Sequence, residues 1–171
     1  MLRYLFPRLT PALSRGAELF EALVAEARQP HWFVDSEVPD TIDGRFAVLS
    51  TVIALATVRL ERGGESGQAS AVSLTERFVD AMDSEHRELG IGDPTVGKTV
   101  RKLVGALSRR VDLWRQAVER GEGWSTAVND SLFRGTPPSP SALDHAERKL
   151  RDLWARLEGA PDDAVAQGRF G

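Results

Sequence analysis

Along most of this chain apolar residues recur every three to four positions, the period of a helix rather than a strand. From Ser14 to Arg28, Ala17, Phe20, Leu23, Val24 and Ala27 follow i, i+3, i+4 spacing, and Pro30 ends the run. His31-Trp32-Phe33-Val34 is an apolar knot that reads as exposed, docking surface. Asp40 is the expected N-cap of the next helix, with Asp43 placed where the helix dipole favours a carboxylate. Ile42 to Glu61 is apolar nearly all round, which predicts a helix buried on every side. Its β-branched residues would also suit a buried strand, but a run this long without a turn signal exceeds strand length. Arg62 to Gln68, RGGESGQ, predicts a polar glycine-rich loop.

The second half repeats the alternation. Between Ser70 and Leu89, Leu74, Phe78, Met82 and Leu89 share one face, and Glu76, Asp80, Asp83 and Arg87 share the other. Gly90 suits the left-handed position past a helix end, with Ile91 packing back. Asp93 then caps, and Pro94 opens, a helix running to Arg120. Its apolar stripe is Val96, Val100, Leu103, Leu107, Val111, Trp114 and Val118, with Lys98, Lys102, Arg109 and Arg120 opposite. A short helix from Trp124 to Phe133, the linker TPPSPS, and a last helix from Ser139-Pro140 to Glu158 complete the series. The last helix carries Leu143, Ala146, Leu150, Leu153, Trp154 and Leu157. Trp114 and Trp154 are expected in the core. The pattern predicts an all-α, single-domain bundle of about six helices around a buried central helix. Residues 1–10 read as a flexible N-terminal arm, 11–158 as the helical domain and 159–171 as a disordered tail.

Composition narrows the chemistry. The chain has 171 residues and a net charge of −3, so bulk electrostatics does not argue for nucleic acid, and no specific DNA binding is expected. The absence of cysteine excludes disulfides, thiolate metal sites and a cysteine nucleophile. The longest near-apolar run, Phe46 to Val58, is shorter than the roughly 20 residues a bilayer span needs. The N-terminus lacks the apolar core of a signal peptide. A cytoplasmic protein is expected, with peripheral contact at a membrane left open.

One catalytic motif is present. Gly92 to Thr99, GDPTVGKT, fits the Walker A pattern, with Lys98 as its lysine. A P-loop, however, is delivered by a buried strand, and the residues before Gly90 read as a helix; Pro94 also removes one N–H a phosphate would use. Helix stop and helix start explain the octapeptide better, so no nucleotide or other cofactor is expected. His31, His86 and His145 are scattered, and Asp83 with His86 lacks matching metal ligands. Six acids against two bases lie between Thr75 and Asp93, and seven bases against two acids between Pro94 and Arg120. The acidic face is either solvated helix surface or a docking patch. The basic face either attracts its acidic neighbour or meets RNA or anionic lipid. The residues alone therefore leave open a nucleotide-binding protein using Gly92 to Thr99, and a helical RNA- or ribosome-binding adaptor using residues 94–120.

Two longer stretches carry a resemblance. Val38-Pro39-Asp40-Thr41-Ile42-Asp43-Gly44-Arg45-Phe46 is followed by Phe78-Val79-Asp80-Ala81-Met82-Asp83 and by Arg87-Glu88-Leu89-Gly90-Ile91-Gly92-Asp93. Over about Ala17 to Ala117 the chain resembles the ubiquinol–cytochrome c chaperone family. It departs from the family pattern at Leu107-Ser108-Arg109-Arg110, at His86 and at Gly97. The resemblance implies a non-enzymatic assembly factor for respiratory complex III. Its expected partners are newly made cytochrome b, the ribosome and a small partner protein, and bacterial members are helical proteins of alphaproteobacterial type. The expected location stays the cytoplasm, with peripheral contact at the inner membrane left open. Holding apolar segments before insertion requires a groove or an exposed apolar patch. The candidate partner-binding residues are Trp32, Phe33, Arg45, Asp80, Asp83, Arg87, Lys98, Lys102 and Arg109, together with the arm Leu2 to Leu9.

Overall fold

The computed structural model describes residues 16–88 and 96–171, without the side chains of residues 85–88, 96, 97 and 99. Among the described residues there are eight helices and no strand. They are α1 (Ala17–Ala27), α2 (His31–Val34), α3 (Ile42–Glu61), α4 (Gly64–Glu88), α5 (Val96–Arg120), α6 (Trp124–Leu132), α7 (Pro140–Gly159) and α8 (Asp162–Ala166). The all-α bundle is as the periodicity predicts. The count exceeds six because the apolar knot forms the single turn α2 and the tail forms α8.

Helix α3 is the axis, packed by α1, α4, α5, α6 and α7. From Ala47 to Leu60 every residue is buried except the half-buried Leu49. Its buried hydroxyls turn back on their own helix: Ser50 donates to the Phe46 carbonyl, Thr51 to Ala47 and Thr57 to Ile53. Each of these three hydroxyls is thereby satisfied locally. The amphipathic helices bury the faces their spacing marks. Leu74 and Phe78 of α4, Trp114 of α5 and Leu150, Leu153 and Leu157 of α7 are all inaccessible. Trp114 donates its indole N–H to Ser131 Oγ at 3.0 Å and meets Trp124 edge-on, with ring centres 5.2 Å apart. Trp154 is also in the core.

Four expectations change. The N-cap of α3 is Thr41, whose Oγ1 accepts from Gly44 N–H at 3.1 Å, because the Asp40 carboxylate is drawn to Arg45 Nε at 2.7 Å. The predicted loop at 62–68 is mostly the first turn of α4. Gly67 sits against the end of α3, where a Cβ would come within 2.0 Å of the Leu60 carbonyl oxygen. Glycine there permits a close approach rather than a loose connection. Trp32 is a core residue with no exposure, and its indole N–H donates to the Glu26 carbonyl at 2.9 Å. It is therefore withdrawn from any docking surface.

The tail is ordered by packing. Val165 is fully buried and Phe170 nearly so. Gly168, at φ +72°, lies so close to α1 that a Cβ would come within 2.6 Å of the Glu18 carbonyl. Arg59 reaches out of α3 to donate to the carbonyls of Leu157 and Ala160 and to Asp162 Oδ1. These contacts offset the conformational entropy that a polar tail otherwise keeps. The N-terminal arm, the elbow at Gly90 and the Asp93-Pro94 helix start lie outside the described residues.

Candidate binding groove

An open groove of about 1430 Å³ runs across one side of the bundle, between α1, α2, the start of α3, α4 and α5. Its floor is apolar: Phe20 and Val24 of α1, Phe33 of α2, Phe46 and Leu49 of α3, Met82 of α4 and Leu103 of α5. Phe20, Phe33, Phe46 and Leu49 are half-buried and rest on the core below. Phe46 tilts against the buried Phe78, with ring centres 5.8 Å apart. Ile42 lines the rim at 66% exposure, and Val34, which follows Phe33, is 73% exposed. Large apolar side chains held this open to water mark a surface that another apolar body covers.

The rim is cationic. Arg28, Arg45, Lys102, Arg109 and Arg134 line it, with the half-buried Arg110 below them, against Asp40 and Asp43. Both acids are already engaged: Asp40 bonds Arg45 Nε at 2.7 Å, and Asp43 lies 3.6 Å from Arg134. Arg110 lies over the Phe46 ring at 5.7 Å, and burial, with the nearby guanidiniums of Arg134 and Arg109, depresses its proton affinity.

Of the nine residues singled out by sequence, the groove gathers Phe33, Arg45, Lys102 and Arg109. Trp32 is buried beside it. Asp80 is exposed and Asp83 half-buried on α4, and neither lines the groove, although Ala81 and Met82 between them do. Lys98 is exposed on α5 away from the groove, and the Arg87 side chain lies outside the described residues. Sequence reasoning missed Arg28, Arg110 and Arg134, and took Phe20 and Val24 for core. Phe20 and Val24 keep the spacing of core positions, because a groove floor and a core face demand the same periodicity. Arg134 carried no signal in the sequence; the structure holds it at a left-handed backbone, φ 52°, just before Gly135.

Residues 34–170 match the family described as Ubiquinol-cytochrome C chaperone. The chain belongs to that family. The match begins later than the resemblance read from sequence and continues through the ordered tail. The chain is also similar to the crystal structure of the Cbp3 homolog from Brucella abortus, with a TM-score of 0.78 and 29% identity over 98% of this chain and 94% of that one. A similarity of another kind is to the tRNA modification GTPase MnmE of Roseobacter denitrificans, 26% identical over 155 residues, 84% of this chain. The chain spans about a third of that relative's length, 35%. Residues 92–95 of the Walker-like octapeptide lie outside the described residues. The described element before it is helix α4, ending at Glu88, and α5 already begins at Val96. Among the described residues no helix is long and apolar enough to cross a membrane.

Proposed function

We propose that this protein is a non-catalytic assembly factor for ubiquinol–cytochrome c reductase that holds newly made cytochrome b through the groove between α1, α3, α4 and α5. The observation that carries the reading is membership of the chaperone family over residues 34–170, together with a groove of the kind such a client needs. Transmembrane segments are apolar along their length. The half-buried floor of Phe20, Phe33, Phe46 and Leu49 offers an apolar face to one of them before insertion. The cationic rim suits anionic headgroups or a ribosome nearby, and keeps the open groove soluble between clients. A small partner protein belongs to the same proposal, as does peripheral contact at the inner membrane.

Deletion in the native host is the direct test, scored by assembled complex III and by cytochrome b haem absorbance. Loss of both, restored by the wild-type chain and not by a variant with Phe33 and Phe46 changed to Asp, is the expected result. Normal complex III in the deletion strain refutes the proposal. A photo-crosslinker at position 33 during synthesis gives the complementary readout: the expected adduct is cytochrome b.

A further inference from the structure

Arg110 is the one groove residue whose condition the client-holding role leaves unexplained. A guanidinium carries five N–H donors. In Arg110 one Nη donates to the Ala106 carbonyl at 3.4 Å and the other to the Ser131 carbonyl at 3.1 Å, while Nε is buried without a partner. No carboxylate pairs with it among the described residues. Its charged neighbours, Arg134 and Arg109, are both cations. Asp43, the acid at this end, is taken by Arg134 at 3.6 Å. A partly desolvated cation facing like charges is unfavourable unless an anion joins it.

We infer that the Arg110 end of the groove is a carboxylate subsite, which anchors an amphipathic protein helix by one Asp or Glu while the apolar side of that helix lies on Phe20, Phe33, Phe46 and Leu49. Resting on the groove as the client's seat, it specifies which segments are held: apolar helices with an acidic residue on the flank. Six cations on the lining against two already paired acids set the sign of the occupant. A helix carries its carboxylate on a side chain that can reach below the rim to the recessed Arg110, and an arginine fork holds it through two N–H groups. A bilayer surface would meet the exposed rim residues Arg45 and Arg134 first.

The test uses the full chain and three rhodamine-labelled helical peptides of about 18 residues, apolar on one side, that differ only at a flanking position: Glu, Gln or Lys. By fluorescence anisotropy the Glu peptide is expected to bind about tenfold more tightly than the Gln peptide, the scale of one charge-assisted hydrogen bond, and the Lys peptide more weakly than either. R110M should shrink the Glu-to-Gln ratio to under about twofold; read as a ratio, any change in groove packing common to both peptides cancels, a thermodynamic cycle that isolates the pair. R134Q, at an exposed position, should reduce the ratio partway and guards against a folding defect in R110M. Equal affinity for Glu and Gln peptides overturns the subsite and leaves the groove standing. Binding of none of the peptides overturns the groove itself. Arg110-dependent binding to phosphatidylglycerol vesicles, with the Glu and Gln peptides indistinguishable, overturns the subsite in favour of lipid.

Discussion

Two arginines reach out of the core at different places, and the fold treats them differently. Arg59, 9% exposed at the C-terminal end of α3, has no buried donor left unpaired: its Nε donates to Leu157, and one Nη donates to Ala160 and to Asp162. Arg110, beside the groove, is left with an orphaned Nε and two cationic neighbours. The first has every feature of a structural clamp, because its bonds tie a tail to the body of the bundle. The second is held in place without being neutralised, which is what a binding surface requires. Burial alone therefore does not distinguish structure from function; completeness of hydrogen bonding does.

The largest expected effect would break the clamp. Arg59→Met should lower the unfolding free energy by about 3 kcal/mol, since it strands two carbonyls and unpairs the exposed Asp162 carboxylate. Urea denaturation gives the number, and limited proteolysis should release the tail after Gly159. Gly168→Ala attacks the same docking from the α1 side, with a left-handed backbone and a Cβ 2.6 Å from the Glu18 carbonyl. It should cost about 1–2 kcal/mol by thermal denaturation. Arg110→Met, in contrast, should change stability by less than about 1 kcal/mol in either direction, because the loss of two carbonyl contacts, one of them long at 3.4 Å, is set against relief of an unpaired cation. Equal losses for the Arg59 and Arg110 variants in the same urea series would erase the distinction between the two sites.

The smallest effect concerns a histidine pair on the far side of α1. His145 Nδ1 meets Ser36 Oγ at 2.9 Å, its ring lies 5.4 Å from that of His31, and His31 Nδ1 is buried without a partner. Both have lowered pKa values, through burial first; Lys149 disfavours the charged form of each, and Arg148 that of His145, against Asp35 and, for His31, Glu26. The folded state therefore binds fewer protons than the unfolded chain just below pH 6.5. This contribution is complete above the unfolded value and is lost as pH falls through it toward the folded values. Denaturation midpoints should drop modestly between pH 7.5 and 5.5, and His145→Gln should flatten that slope. An unchanged slope would show that acidic groups elsewhere set the pH dependence.

The groove was only partly legible in the sequence. Phe33, Arg45, Lys102 and Arg109 were each recognisable as an apolar or basic residue in a suggestive place, yet nothing in their spacing joined α2, α3 and α5 around one space. Trp32 misled because a short run of aromatics between prolines looks the same whether its tryptophan points in or out. The tail misled because its composition is polar, while the two residues that anchor it, Val165 and Phe170, are isolated apolar positions without a period.

What the sequence determined by itself is the set of helices and the inward face of each. Leu74 and Phe78, Trp114, and Leu150 through Leu157 are spaced so that only one face of each helix can be removed from water, and the near-apolar run from Phe46 to Val58 marks a helix buried on every side. What only the tertiary structure decided is where those faces stop short of closing. Phe20 and Phe46 obey the same periodicity as the core, but no helix closes over them and they line an open groove. The final bonds of Arg59 and the missing partner of Arg110 are likewise set by which chain segment arrives opposite. Periodicity is local and fixes orientation about one helix axis; the gap between helices, and the satisfaction of a long side chain across it, depend on residues far away in the chain.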